Sequence, residues 1–278
     1  MNQTTLTRDA LAHLIVQRLE SAEADLRESF EKSVAEVGVR YCAIDNLLPK
    51  DIAQRIQESF PRADQMRLMD SFRERKYTSK NFDKFDVLMA DVTFAVQDPR
   101  VVQVVERITG IKDQIPDSNL YAGGLSAMGP GCFLGPHIDN SHDASRHHYR
   151  TLNLLYYVSP DWTLENGGNL ELWDRGVRRN VTVVSRFNSL VIMETNPWSW
   201  HSVKEVRVDR LRCCVSNYYF SPTSPTGREY FNVTSFNARP EQKVLRAVAW
   251  VDNKVRQFVR QIVPGGLGQK DVYKGPKP

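Results

Sequence analysis

The chain has 278 residues, 41% of them hydrophobic and 25% charged, with a formal net charge of +4. That length is ample for a buried core in one large domain or two small ones, and no apolar run reaches the ~20 residues of a membrane-spanning helix. Met1-Asn2-Gln3-Thr4-Thr5 lacks the basic start and apolar core of a secretory signal, and Cys42, Cys132, Cys213 and Cys214 show no framework spacing, so reduced thiols in a cytoplasmic protein are expected.

Residues 7–36 place Leu11, Leu14, Ile15, Leu19, Ala22, Leu26, Phe30 and Val34 at the 3.6-residue period of an amphipathic helix, which Gly38 should end. Residues 39–44 read as a strand, and residues 45–49 as a turn opening a second helix that runs to about Phe60. A third helix is expected from Pro99 to Thr109. Residues 71–85 are rich in bases and aromatics with weak periodicity, and read either as a mobile flap over a substrate or as a solvated loop.

From Leu120 the pattern becomes one of short apolar runs bounded by Gly, Pro and Asn: 120–128, 151–158, 168–173, 181–184, 189–193 and 212–220. Such spacing suggests a β-sandwich or barrel, whose mouth can hold a ligand. Val244, Val248, Val251, Val255, Phe258 and Ile262 then form one stripe of an expected amphipathic helix over 244–263. A basic helix of this kind can pack on its own domain, form a homodimer, or touch a membrane surface. The tail beyond Pro264-Gly265-Gly266 is expected to be flexible.

Chemistry concentrates in Gly135-Pro136-His137-Ile138-Asp139. On an extended backbone, side chains two apart share a face, so His137 and Asp139 can converge on one metal ion. His201, in Trp198-Ser199-Trp200-His201, is the candidate third ligand. Two histidines and one carboxylate with open positions make the facial set used by non-haem Fe(II) oxygenases. In residues 211–220, strand alternation puts Arg212, Cys214, Ser216 and Tyr218 on one face. An arginine turned into a barrel is costly to bury without an anion, and a carboxylate-bearing cosubstrate would supply one.

Bland readings apply to several neighbours. Gly167-Gly168 reads as a turn needing positive φ, Trp162 and Trp173 as core, and His142, His147 and His148 as a polar rim rather than a second metal site. Trp198 and Trp200 serve either substrate or packing around His201, and Tyr121 either lines the pocket or does not.

Residues 137–140, 150–157, 166–170, 186–190, 201–203 and Arg212 with Tyr218-Tyr219-Phe220 resemble, in order and spacing, the Fe(II)- and 2-oxoglutarate-dependent dioxygenases, in their prolyl-hydroxylase-like branch. The resemblance covers residues 120–220. It implies a mainly β fold with flanking helices, a double-stranded β-helix of the jelly-roll or cupin-like kind. An N-terminal helical scaffold (1–119) would pack on the catalytic core (120–222), followed by a C-terminal extension (223–278), in one structural domain.

It further implies that His137, Asp139 and His201 hold Fe(II), and that Arg212 and Tyr157 bind the distal carboxylate of 2-oxoglutarate. Asn153 and Ser216 would line that pocket. O2 is the second cosubstrate and ascorbate a candidate reductant. The family's basic residue commonly lies nine to ten positions after the second histidine, where this chain offers Arg210 and Arg212; the register of the following strand favours Arg212. A carboxylate at position 139, where related halogenases carry a small residue, implies hydroxylation or a related oxidation.

The expected function is therefore hydroxylation of an unactivated C–H bond in a small-molecule or biosynthetic-intermediate substrate, with release of succinate and CO2. The alternatives are a protein or peptide prolyl hydroxylase, a non-catalytic metal-binding barrel, and a peripheral membrane-associated protein. A nucleic acid is not expected as a partner.

Overall fold

The computed structural model describes residues 6–121, 123–246, 248–249, 254–255, 273 and 275. The chain opens with α1 (Arg8–Ser21), α2 (Glu23–Lys32) and α3 (Val34–Val37). The single helix expected over 7–36 is thus broken twice, at Ala22 (φ −124°) and at Ser33. At the second break the Ser33 hydroxyl donates to the Phe30 carbonyl at 2.9 Å and accepts from the Tyr41 amide at 2.8 Å, competing with the helix for its own backbone groups. Gly38 closes the run at φ +80°, as its position predicts.

Next come β1 (Tyr41–Asp45), α4 (Lys50–Glu58), β2 (Arg67–Asp70), β3 (Glu74–Ser79), α5 (Val87–Ala95), α6 (Pro99–Thr109) and β4 (Ile115–Pro116). The remainder supplies β5 (Gly124–Met128), β6 (Phe133–Ile138), β7 (Tyr149–Tyr157), β8 (Leu170–Trp173), β9 (Asn180–Val183), β10 (Ser189–Glu194), β11 (His201–Val203), β12 (Arg212–Ser221) and β13 (Ser235–Phe236).

These strands form one curled antiparallel sheet in the order β1-β10-β7-β12-β5-β3-β6-β11-β8-β9, with β2, β4 and β13 on its flanks. Mostly antiparallel strands wrapped around a half-barrel, with helices outside, are a double-stranded β-helix. Four of the strands, β1 to β4, come from before residue 120. β1 pairs with β10, and β3 lies between β5 and β6. The stretch read as a flap or loop over 71–85 is therefore largely hairpin and sheet. The strand carries no apolar alternation, since the cavity-facing side chains of β3, Glu74, Lys76 and Thr78, are polar.

Helices α1, α5 and α6 pack on the outer face of the sheet in one core with Leu152, Leu154, Tyr156, Cys213, Val215 and Tyr219. Burial of such side chains contributes roughly 1.5–3 kcal/mol each. Buried hydrogen bonds fix α5 to β12: Asn217 Nδ2 donates to the Thr93 carbonyl at 3.1 Å, and Gln97 Nε2 donates to Asn217 Oδ1 at 2.9 Å. Alternation then sends Arg212, Cys214, Ser216 and Tyr218 to the opposite face, into the barrel. Most of the helix expected over 244–263 lies outside the described residues; Val244, Val248 and Val255, which are described, are exposed.

Candidate metal and cosubstrate site

β6 and β11 are antiparallel neighbours in which His201 stands directly opposite His137. That pairing brings together residues 64 positions apart in the chain, and Asp139 follows one residue after the end of β6. Ligand atoms of His137, Asp139 and His201 all lie within 4.8 Å of one another. The two imidazole centroids are 4.1 Å apart, and Asp139 Oδ1 and Oδ2 lie 3.7 Å and 3.6 Å from the Nε2 atoms of His137 and His201.

Both rings are oriented by their other nitrogen. His137 Nδ1 is 3.0 Å from the Gly135 carbonyl, and His201 Nδ1 is 2.9 Å from the Ser199 carbonyl. A carbonyl can only accept, so each Nδ1 carries the proton and each Nε2 turns a lone pair to the common centre. Burial, followed by the neighbouring His201, pushes the His137 imidazole down to about 3, so it is neutral at physiological pH, as a metal ligand must be.

Asp139 is held in its ionised form. Burial alone would raise its pKa, but Arg150, both histidines and Asn153 outweigh burial and hold the carboxyl far below the usual carboxylate range. Arg150 Nη1 lies 3.0 Å from Asp139 Oδ2, and Asn153 Nδ2 donates to the same oxygen at 2.8 Å. The Asp139 peptide carbonyl accepts from Asn232 Nδ2 at 2.8 Å. On the far side, Phe236 of β13 stacks on His137 with a centroid distance of 5.4 Å and an interplanar angle of 21°.

The same cavity, about 420 Å³, is lined by Arg212, Cys214, Ser216, Asn153, Leu155 and Tyr121. Arg212 is 4% exposed, and among the described residues it pairs with no carboxylate. Its guanidinium sits 4.6 Å over the Tyr157 ring, and its Nε reaches Ser185 Oγ at 3.4 Å. The Tyr157 hydroxyl and Asn153 Oδ1 are buried without a hydrogen-bonding partner in good geometry. Burial pushes the Tyr157 phenol up to about 12 despite the arginine beside it, so it stays a donor. Arg210 lies elsewhere, donating to the Pro160 and Asp161 carbonyls and stacking over Trp162.

Gly167 (φ +71°) and Gly168 (φ +64°) build the turn behind Arg212. A Cβ on Gly167 would fall 1.9 Å from the Glu205 carbonyl oxygen, which fits the turn reading of this pair. Trp162 and Trp173 are buried, with indole N–H bonds to the Gly167 carbonyl and Ser202 Oγ. Trp198 is exposed, with Arg175 stacked over it. His148 pairs with Asp143, and His142 packs on Tyr149. Among the described residues, only His137, Asp139 and His201 cluster as a metal set.

Arg150 is the site residue that alternation could not find. Counting outward from Asn153, it should face the helical core. However, Leu152 pairs with Tyr219 and Arg150 with Phe220, so Thr151 is an extra residue. This bulge flips the parity of β7 and turns Arg150 inward.

A double-stranded β-helix with two histidines and an aspartate around one point, and a buried arginine on the same cavity wall, defines a class of facial-site metalloenzyme. The family model described as the 2OG-Fe(II) oxygenase superfamily matches residues 123–220, the strands that carry this site. Residues 123–220 are thus similar to that superfamily, and the fold is of the prolyl-hydroxylase-like kind.

Among curated proteins, the prolyl 3-hydroxylase OGFOD1 of Xenopus laevis is 37% identical over 76 residues, 25% of this chain. The mouse (Mus musculus) protein of that name is 27% identical over 88 residues, 30% of this chain. The matches span 15% and 16% of those relatives' lengths. Two solved structures share the fold. A Pseudomonas putida prolyl-4-hydroxylase has a TM-score of 0.52 at 16% identity, covering 70% of this chain and 98% of its own. The non-heme alpha ketoglutarate dependent carbocyclase SnoK from nogalamycin biosynthesis has a TM-score of 0.52 at 11% identity, covering 93% and 96%.

The residues present fit the family's cofactors. Two imidazole nitrogens and one carboxylate suit a divalent iron with open positions. Arg212, which pairs with no carboxylate among the described residues, and the Tyr157 hydroxyl, which makes no hydrogen bond of good geometry among them, suit a carboxylate that enters with 2-oxoglutarate.

Proposed function

We propose that the protein is an Fe(II)- and 2-oxoglutarate-dependent dioxygenase that hydroxylates a C–H bond of a small-molecule or biosynthetic-intermediate substrate. The observation that carries this reading is Arg212: a buried guanidinium with no carboxylate partner among the described residues, in the same cavity as the His137–Asp139–His201 set. A metal-binding barrel without this chemistry has no use for so costly a charge.

His137, Asp139 and His201 would hold the metal, with Arg150 and Asn153 fixing the outer oxygen of Asp139 so that Oδ1 remains for the ion. Arg212 and Tyr157 would bind the distal carboxylate of 2-oxoglutarate, and Ser216 with Asn153 would line its flank. Bound iron and 2-oxoglutarate supply oxidising power from O2, one oxygen atom going to succinate as CO2 leaves and the other to the substrate. Tyr157, kept protonated, acts here as a donor and not as a base.

A peptidyl-proline substrate is the second reading, supported by the 37% identity over 76 residues to a prolyl 3-hydroxylase. The cavity of about 420 Å³ accommodates a ligand of modest size and favours the small-molecule reading. The deciding measurement is Fe(II)-dependent succinate formation from 2-oxoglutarate, together with 2-oxoglutarate binding to the Mn(II)-loaded protein. Absence of both overturns the proposal.

A further inference from the structure

The charges on the wall of the active-site cavity have partners. Lys76 pairs with Glu74 at 2.9 Å, and Arg150 with Asp139 at 3.0 Å. Arg67 and Lys80 are engaged as well, Lys80 Nζ donating to the Tyr121 carbonyl at 2.8 Å. On the oxygenase reading, Arg212 serves the distal carboxylate of 2-oxoglutarate. Among the described residues, the wall therefore reserves no charge for a charged substrate group.

It offers neutral hydroxyls instead. Thr78, Tyr121, Ser126, Tyr218 and Thr234 line the same cavity, each half-buried, and none of their side-chain hydroxyls is hydrogen-bonded among the described residues. Thr78 of β3 and Ser126 of β5 are register partners, so two of these hydroxyls stand side by side on one wall. Tyr218 of β12 sits 4.3 Å under the Arg150 guanidinium, and Arg150 pairs with Asp139, which puts the phenol ring beside the metal set. Burial, followed by the Asp139 charge, holds that phenol above its ordinary range, so it keeps its proton. Thr234 enters from the segment just before β13.

A hydroxyl both donates and accepts, so this set matches a ligand that does the same at several positions. Carboxylates and phosphates pair instead with guanidinium and ammonium groups. A peptidyl proline offers carbonyl acceptors and an apolar ring without an N–H, which leaves the accepting half of the set unused. Resting on the oxygenase reading, we infer that the substrate is an uncharged polyhydroxylated molecule, a sugar or cyclitol, whose hydroxyls are held by Thr78, Tyr121, Ser126, Tyr218 and Thr234.

The test is calorimetric titration of the full chain, loaded with Mn(II) and 2-oxoglutarate. Glucose, galactose, mannose and myo-inositol are the neutral probes, with glucuronate and N-acetylproline methylamide for comparison. At least one neutral polyol should bind, and more tightly than either comparison probe. Tyr218→Phe and Ser126→Ala/Thr234→Val should each weaken that polyol about five- to tenfold, with 2-oxoglutarate affinity unchanged. Both variants remove hydroxyls that make no hydrogen bond among the described residues, so their thermal melts should match the parent's; if one does not fold, the other decides. The inference is overturned if no polyol binds, if glucuronate or the proline amide binds more tightly, or if either folded variant binds the polyol as the parent does. Polyol binding without 2-oxoglutarate binding would sink the oxygenase reading and leave the polyol site standing; 2-oxoglutarate binding without polyol binding would do the reverse.

Discussion

Arg150 and Asp139 form a buried ion pair at 3.0 Å, with the guanidinium 1% exposed and packed 4.3 Å over the Tyr218 ring. The pair shares one carboxylate oxygen with Asn153, so the aspartate is aimed before any metal arrives. Removing one partner of such a pair costs about 3–5 kcal/mol, because it leaves the other charge buried alone. Arg150→Met should therefore destabilise the metal-free protein by about that amount in urea melts. Mn(II) should restore part of the loss by neutralising Asp139, and its affinity should fall about 10–100-fold. Equal destabilisation with and without Mn(II) would show that the arginine serves packing alone.

Arg212 and Tyr157 predict a different pattern. Arg212→Met removes a buried cation that pairs with no carboxylate among the described residues, so the protein without 2-oxoglutarate should be as stable as the parent or more so. Its 2-oxoglutarate affinity should fall by about 100-fold, consistent with loss of a ~3 kcal/mol charged hydrogen bond. Tyr157→Phe removes a hydroxyl that makes no hydrogen bond of good geometry among the described residues, and should cost about tenfold in 2-oxoglutarate affinity with little change in stability. Mn(II) affinity should be unchanged in both variants, which calorimetry with each ligand separately would show.

The convergence of His137 with Asp139 and the inward face of β12 were legible because they follow local rules, whereas His201 arrives through the long-range pairing of β6 with β11. Residues two apart on a strand share a side, and that rule places His137 beside Asp139, and Arg212 in line with Ser216. Arg150 was not legible as a partner of Asp139, since one extra residue at Thr151 reverses the parity that the rule depends on. Nor was β3, whose place between β5 and β6 rests on long-range pairing of a charged segment. Helix α5 escaped for the opposite reason: Leu88, Met89, Val92, Thr93, Phe94 and Ala95 are all buried, so no polar face marks a 3.6-residue period.

The four thiols offer a check on the core itself. Cys42, Cys132, Cys213 and Cys214 are free and buried, and burial pushes Cys42 and Cys213 up to about 12. Only the thiolate reacts with disulfide reagents, so the native protein at pH 8 should label slowly at all four positions, and fully once unfolded. Rapid stoichiometric labelling of Cys42 in the native state would contradict the packing of β1 against β10.

Gly167 predicts the sharpest local cost. Its φ of +71° and the 1.9 Å approach of a Cβ to the Glu205 carbonyl leave no room for a side chain. Gly167→Ala should destabilise by more than ~2 kcal/mol, since left-handed backbone strain adds to a clash with backbone that cannot rotate away. The neighbouring Gly168 carbonyl accepts from Ser185 Oγ at 3.1 Å, and Ser185 in turn meets Arg212. The same substitution should therefore also weaken 2-oxoglutarate binding, a coupling that separates it from a generic loop defect.

Beyond the family-matched strands, residues 232–239 cross the metal set as a strap: Asn232 holds the Asp139 carbonyl and Phe236 stacks on His137. Its far end is fixed by Arg239, which pairs with the buried Glu171, itself accepting from Ser202 Oγ at 2.7 Å. Arg239→Met should cost about 3–5 kcal/mol by leaving Glu171 unpaired, whereas Glu171→Met/Arg239→Met should recover most of that loss. Stability and metal retention should then separate. Both variants free the end of the strap next to Phe236, so both should lose Mn(II) faster than the parent in a chelator chase, although only the single variant is strongly destabilised. A double variant that regains parental stability and also retains Mn(II) as the parent does would show that the pair stabilises the fold without securing the strap over His137.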